Sequence, residues 1–124
     1  MFALLSILLT LQLVVSDDYH DTLDGIVFEE YSTEQLRDFL HCILDKGPCS
    51  DVVASYKKHY PDVVLEECVR CSKCQKHMAV VLFDRMRAEL PDLYREYRAK
   101  FDPDDVHFDN MYKRVMEERD SSYC

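Results

Sequence analysis

The chain has no tryptophan, only two glycines, and fifteen Lys and Arg against twenty-four Asp and Glu. Nowhere do apolar and polar residues alternate over the length of a strand, so no half-buried β-strand is predicted. Repeats, low-complexity tracts and linkers are also missing. The net charge of −9 leaves no basic face for a phosphate backbone, which excludes nucleic acid as a partner and disfavours an anionic membrane surface. No apolar run of spanning length follows Ser16, so no stable membrane insertion is expected of the rest of the chain. The signatures G-x-S-x-G and H-E-x-x-H are absent, and His20, His41, His59, His77 and His107 are scattered. No enzyme and no cofactor is implied. Asn110-Met111-Tyr112 is not a glycosylation acceptor.

The first residues carry a targeting signal. Phe2 to Ser16 is apolar and uncharged, too short for a permanent spanning helix, and ends on a small residue. Residues 1–16 read as a secretory signal peptide, although the usual early Lys or Arg is missing; an uncleaved anchor is the rival. Residues 17–124 then form a single domain, secreted and extracellular. A domain of about 108 residues buries roughly two-thirds of its chain surface. Outside the cell, paired thiols become disulfides and persist.

The chain reads as helices throughout. Asp24 to Tyr31 suggests a short one. Ser32-Thr33-Glu34-Gln35 is a capping box, and behind it Leu36, Phe39, Leu40, Ile43 and Leu44 fall on one helical face, ended by Gly47-Pro48. A second helix is predicted from Ser50-Asp51 to Tyr60, with Pro61-Asp62 opening another turn. From about Glu66 a long segment runs to Leu90, with Val80, Val81, Leu82, Phe83, Met86 and Leu90 on a broad apolar side. Pro91 starts the next helix, with Leu93, Tyr94, Tyr97 and Phe101 at helical spacing. Asp102-Pro103-Asp104-Asp105 is a turn and a cap, and a last helix covers about Val106 to Glu118. The expected fold is all-α, a compact globule of five or six short helices.

Six cysteines allow fifteen complete pairings. Four of them show the spacing C-x6-C-x18-C-x2-C, from Cys42 to Cys71, in which each close pair can shut its own small ring. Such rings contribute about 2 to 2.5 kcal/mol each in the chain-entropy model. The second ring reads as one helical turn. Cys68, Cys71, Cys74 and His77 also make C-x2-C-x2-C-x2-H, which raises the question of zinc. A strict i+3 series drifts around a helix, however, and an oxidising compartment converts neighbouring thiols to disulfides; no metal site is assigned.

The words between the cysteines extend the pattern. They are Cys42-Ile43-Leu44-Asp45-Lys46-Gly47-Pro48-Cys49, Lys57-Lys58-His59-Tyr60-Pro61-Asp62 and Cys68-Val69-Arg70-Cys71, followed by Leu90-Pro91-Asp92-Leu93-Tyr94 and Lys100-Phe101-Asp102-Pro103-Asp104. Over about Leu36 to Val115 the chain resembles the insect chemosensory protein family, also called the olfactory-segment-D-like family. The resemblance implies helices around a hydrophobic tunnel, bridges Cys42–Cys49 and Cys68–Cys71, and reversible carriage of long-chain fatty acids, alcohols, esters and pheromone-like compounds. Cys74 and Cys124 are additional to that pattern, and Tyr94 stands where many members have tryptophan. A Cys74–Cys124 bridge would add about 4 kcal/mol; alternatively Cys124 links two copies into a covalent homodimer, or both thiols stay free.

The candidate ligand-contacting residues are Leu36, Phe39, Leu40, Tyr56, Val64, Val80, Phe83, Met86, Tyr94 and Tyr97. The aliphatic ones have ordinary core spacing. The tyrosines are more suggestive, because a buried hydroxyl needs a partner and a tunnel offers one; the plain alternative is that the hydroxyls reach the surface. Met78 and Met86 suit an adaptable pocket. Carriage needs little chemistry: at about 0.8 kcal/mol per buried methylene, a twelve-carbon chain gains on the order of 9 kcal/mol before ordering costs, and micromolar affinity corresponds to about 8 kcal/mol. A small hydrophobic ligand is the expected partner, with a chemoreceptor as a further one. The competing function is an extracellular interaction or signalling factor with a filled core.

Overall fold

The computed structural model describes residues 26–124; the readings placed on residues 1–25 lie outside the described residues. A short 3-10 turn, Phe28–Glu30, is followed by α1 (Thr33–Ile43), α2 (Asp51–Lys57), α3 (Tyr60–Leu65), α4 (Lys73–Glu89), α5 (Pro91–Phe101) and α6 (Phe108–Glu118), and a second 3-10 turn at Ser121–Tyr123 closes the chain. Six α-helices and no strand occur among the described residues. The long α4 packs against α5, α6 and both 3-10 turns, while α1 packs on α2 and α3 on α5.

Local chemistry accounts for the boundaries. Ser32 and Gln35 form the capping box at α1: the Gln35 N–H donates to Ser32 Oγ at 3.1 Å and the Ser32 N–H donates to Gln35 Oε1 at 2.8 Å. Ser72 and Gln75 repeat it at α4. Helix α1 ends differently from the prediction. Asp45, not Gly47, takes the left-handed conformation (φ 61°), and the N–H groups of Asp45 and Lys46 close on the carbonyls of Cys42 and His41, a Schellman ending. Lys100 and Lys57 donate to the Asp45 carboxylate and hold it down at about 2. Gly47 is needed for room: a Cβ there would come within 3.3 Å of His41 Cβ.

The long segment predicted from Glu66 is shorter by a full seven residues. A second Schellman ending stops α3, with Glu67 and Cys68 at φ 54° and 60° and the Cys68 N–H donating to Val63 O at 2.8 Å. The Cys68–Cys71 ring is therefore a turn between helices and not a helical turn. The apolar residues named for this segment, Val80 to Leu90, all lie on α4 and its C-cap, and the Ser72 box is its true start. At the other end of the fold, α6 has no side-chain cap of its own residue. Asp102 supplies one from the end of α5, its carboxylate accepting from the N–H groups of Val106 (3.1 Å), His107 (2.9 Å) and Phe108 (2.8 Å). Burial pushes this carboxyl up, but the three backbone donors outweigh it and hold it below the usual carboxylate range.

Three disulfides join Cys42 to Cys49, Cys68 to Cys71 and Cys74 to Cys124. No cysteine is free. The third ties the chain end to the first turn of α4, so Cys124 has no thiol left to link a second copy. Arg85 fastens the other terminus of the described chain. Its Nη1 donates to the carbonyls of Phe28 (2.8 Å) and Tyr31, while Nε and Nη2 hold both oxygens of Glu89, which also accepts from Thr33 Oγ1. Those bonds keep Glu89 at about 2.

Candidate functional site

Aromatic rings run through the interior in one continuous row. Phe28 meets Phe39 edge-on with centroids 5.0 Å apart, Phe39 lies 6.1 Å from Tyr56, Tyr56 4.7 Å from Tyr60, and Tyr60 5.6 Å from Tyr97. Tyr97 continues to Phe83 at 5.7 Å, and Phe83 to Phe108 at 5.0 Å. The pairs Phe28–Phe39, Tyr56–Tyr60, Tyr60–Tyr97 and Phe83–Phe108 are edge-to-face, the arrangement that aromatic quadrupoles favour, and the other two are tilted. The row draws on all six α-helices: Phe28 comes from the first 3-10 turn, Phe39 from α1, Tyr56 from α2, Tyr60 from α3, Phe83 from α4, Tyr97 from α5 and Phe108 from α6. Each sits on the inward stripe of its helix, which is why residues distant in sequence meet.

At the centre of the row lies a small cavity between α2, α3, α4 and α5. It is walled by Tyr56, Tyr60, Val63, Gln75, Ala79, Phe83 and Tyr97, and by the Cys68–Cys71 bridge. Its free volume is about 10 Å³, close to the least that admits one water. The tunnel that the resemblance implies is thus nearly shut. The physical reason is plain: an apolar void without contents forfeits dispersion contacts on both walls, so rings close onto one another.

The wall is apolar except for its hydroxyls. Tyr60 and Tyr97 are 1 % and 0 % exposed, and burial pushes both phenols well above their ordinary value, so both keep their protons. The Tyr60 hydroxyl faces those of Tyr56 and Tyr97. Tyr97 Oη is close enough to Tyr60 to interact with it, yet falls short of hydrogen-bond geometry and has no other partner. No Lys, Arg or His is among the described residues of the wall.

A second, larger space is a surface groove of about 260 Å³ between α1 and α2, lined by Tyr31, Gln35, Asp38, Phe39, Cys42, Pro48, Ser50 and Val53. Phe39 belongs both to its floor and to the aromatic row, and so stands between the groove and Tyr56.

Of the ten residues singled out in the sequence, the structure brings Tyr56, Phe83 and Tyr97 together on the cavity wall. Phe39 lies one ring away. Leu36, Leu40, Val64, Val80 and Met86 are buried in the surrounding core without lining the cavity. Tyr94 is half-buried and apart, its ring edge-on to Phe108 at 5.8 Å and its hydroxyl accepting from Arg98 at 3.4 Å. Tyr60, Val63, Gln75 and Ala79 were not anticipated. Tyr60 carried a usable signal, since it sits three residues before Val63 and four after Tyr56; Gln75 and Ala79 carried none. The remaining candidates for metal are committed elsewhere, with Cys68, Cys71 and Cys74 in bridges and His77 Nε2 at 2.6 Å from Glu29 Oε1.

Comparison with known proteins agrees with this geometry. Residues 19–109 match the insect pheromone-binding family, A10/OS-D. The chain is 32% identical over 101 residues to Allergen Tha p 1 of Thaumetopoea pityocampa, covering 81% of this chain and 78% of that one. It is 28% identical over 114 residues to Ejaculatory bulb-specific protein 3 of Drosophila melanogaster, covering 90% of each. A solved structure of a chemosensory protein in complex with bromo-dodecanol shares the fold, with a TM-score of 0.68 at 24% identity over 77% of this chain and 98% of that one. No helix among the described residues is long and apolar enough to cross a membrane. The chain belongs to the insect pheromone-binding family, A10/OS-D.

Proposed function

We propose that the protein is a secreted carrier of small lipophilic molecules, which it sequesters within its aromatic interior with no covalent step. The observation that carries this reading is the central cavity: four helices converge on an apolar, ring-lined space whose one unsatisfied group is a buried hydroxyl. Membership of a pheromone-binding family supports it, as does the bromo-dodecanol held by the chemosensory protein of the same fold. In this reading residues 1–16 direct secretion and are removed, and residues 17–124 are the working domain.

The ligand enters from the α1–α2 groove, past Phe39 and Tyr56, and parts the rings of Tyr56, Tyr60 and Tyr97. Leu36, Leu40, Val64, Val80 and Met86 supply the apolar packing behind them. The wall that yields is α2 and α3, of seven and six residues. Helices below about 12 residues hold their shape only through packing, so a tail that replaces ring contacts with its own moves them at small cost.

The test is displacement of a fluorescent lipophilic probe. The probe binds near one-to-one and is released by compounds of roughly twelve to eighteen carbons, each methylene adding about 0.8 kcal/mol until the space is filled. A probe that stays dark at every concentration removes the carrier reading. The water-sized cavity favours one rival, an extracellular interaction factor whose core is simply full. Native mass spectrometry of the protein from its own fluid separates the two, a co-purified lipid being expected only of the carrier.

A further inference from the structure

We propose that the interior selects neutral, oxygen-bearing lipophiles whose head group accepts a hydrogen bond from Tyr97, and that it discriminates against ionised carboxylates. This rests on the carrier reading and names the chemical class of its ligand. Three observations converge. Tyr97 Oη is fully buried and lacks a hydrogen-bond partner, an uncommon state for a buried polar atom and one that a ligand atom would relieve. Tyr97 lines the central cavity, and its hydroxyl is buried beside that of Tyr60, another residue of the same wall. The wall offers no cation: α2 contributes Tyr56, α3 Tyr60 and Val63, α4 Gln75, Ala79 and Phe83, and the titratable groups among them are the two other phenols.

The selection follows from solvation. A buried phenol keeps its proton and is a donor at every physiological pH. A ketone, ester or alcohol oxygen gains that bond and gives up little hydration. A carboxylate must shed its hydration shell with no positive partner to compensate, so it binds only after taking up a proton or leaves its head group outside. A bare alkane gains the apolar contacts but leaves Tyr97 unsatisfied. The head group therefore goes in and the chain fills outward, along the row toward Phe39.

The experiment compares four ligands of one chain length, twelve carbons: a methyl ketone, a primary alcohol, an alkane and a carboxylic acid, each displacing the same fluorescent probe from the full mature chain. The ketone and alcohol bind about tenfold more tightly than the alkane, the size of one net hydrogen bond. Tyr97→Phe removes that preference and leaves alkane affinity as it was. The acid binds roughly tenfold or more better at pH 5 than at pH 8, because only its protonated form enters, while the ketone is unchanged over the same range. Tyr97→Phe deletes an unpaired hydroxyl and no packing, so it folds at least as stably as the parent; Tyr112→Phe, whose hydroxyl bonds Asp84 and which is not among the wall residues, controls for the loss of any tyrosine oxygen.

An unchanged ketone-to-alkane ratio in Tyr97→Phe overturns the proposal, and would mean that a trapped water satisfies the hydroxyl. Equal acid affinity at both pH values overturns it too, and would place the head group in solvent. If none of the four displaces the probe while the probe itself binds, the carrier survives for another ligand class and this assignment does not. If the probe never binds, the carrier reading itself fails.

Discussion

Replacing Cys74 and Cys124 together by alanine should cost more stability than removing either local ring. The bridge joins residues 50 apart in sequence, against 7 for Cys42–Cys49. Loop closure in the unfolded chain then contributes about 4 kcal/mol for the long bridge and about 2.5 kcal/mol for the short one. The folded state has little to replace it. The chain end is otherwise held by the Asp120 N–H donating to Lys73 O at 3.2 Å, by the Lys73 ammonium 4.7 Å over the Tyr123 ring, and by the Lys76–Glu118 ion pair at 2.6 Å. The Lys73–Tyr123 contact is worth about 1 kcal/mol or less, and the ion pair joins a buried Lys76 to a Glu118 that is 43% exposed, so solvent still screens it. Urea unfolding of the parent, C74A/C124A and C42A/C49A under non-reducing conditions reads the difference directly. For a domain near 100 residues, about 4 kcal/mol lowers Tm by roughly 15 to 30 °C, with helical circular dichroism kept at low temperature. If C74A/C124A loses no more than C42A/C49A, loop closure is not what the third bridge supplies, and local contacts at the chain end must be re-examined. The parent should run as a monomer on a non-reducing gel; a dimer band would show that Cys124 pairs between chains.

Two further outcomes test the supports around the site. Arg85→Ala frees the carbonyls of Phe28 and Tyr31 and leaves Glu89 without its cation; a loss of about 2 to 3 kcal/mol in urea unfolding is expected, the range for hydrogen bonds to charged groups. Asp102→Ala removes three N–H acceptors at the start of α6, and should cost about 2 kcal/mol at pH 7. Its pH dependence has a definite sign. The folded carboxyl lies below its unfolded value, so its stabilisation is complete above the unfolded value and is lost as pH falls through the folded one. The gap between parent and variant should therefore be widest near neutrality and shrink as acid takes the pH below the carboxyl's unfolded value; a gap that widens in acid would contradict the capping role.

Helix number, helix type and the Ser32–Gln35 capping box were legible from residues alone, because those features depend on neighbours three or four positions apart; the matching box at Ser72–Gln75 went unread. Ser32 and Gln35, Pro91 with Leu93, Tyr94, Tyr97 and Phe101, and the turn at Asp102 all act within one or two turns of chain. The start of α4 was misread because the chain turns there on left-handed residues, Glu67 and Cys68, that are neither glycine nor asparagine and so give no stop signal. Asp45 concealed the end of α1 in the same way. The spacing of the inner tyrosines marked Tyr56 and Tyr97 as candidates without telling them from Tyr94. That distinction is a matter of burial, and burial depends on which helix lies opposite.

What the amino-acid order by itself determined is the set of amphipathic helices, the acidic surface and the supply of rings and sulfurs. Which rings meet, which hydroxyl is left without a partner, and how nearly the interior closes were decided only by tertiary packing. The reason is that local bonds and periodicity act along the chain, whereas a cavity is the residue of contacts between α2, α3, α4 and α5, from Tyr56 in one to Tyr97 in the last, whose relative placement no short window encodes.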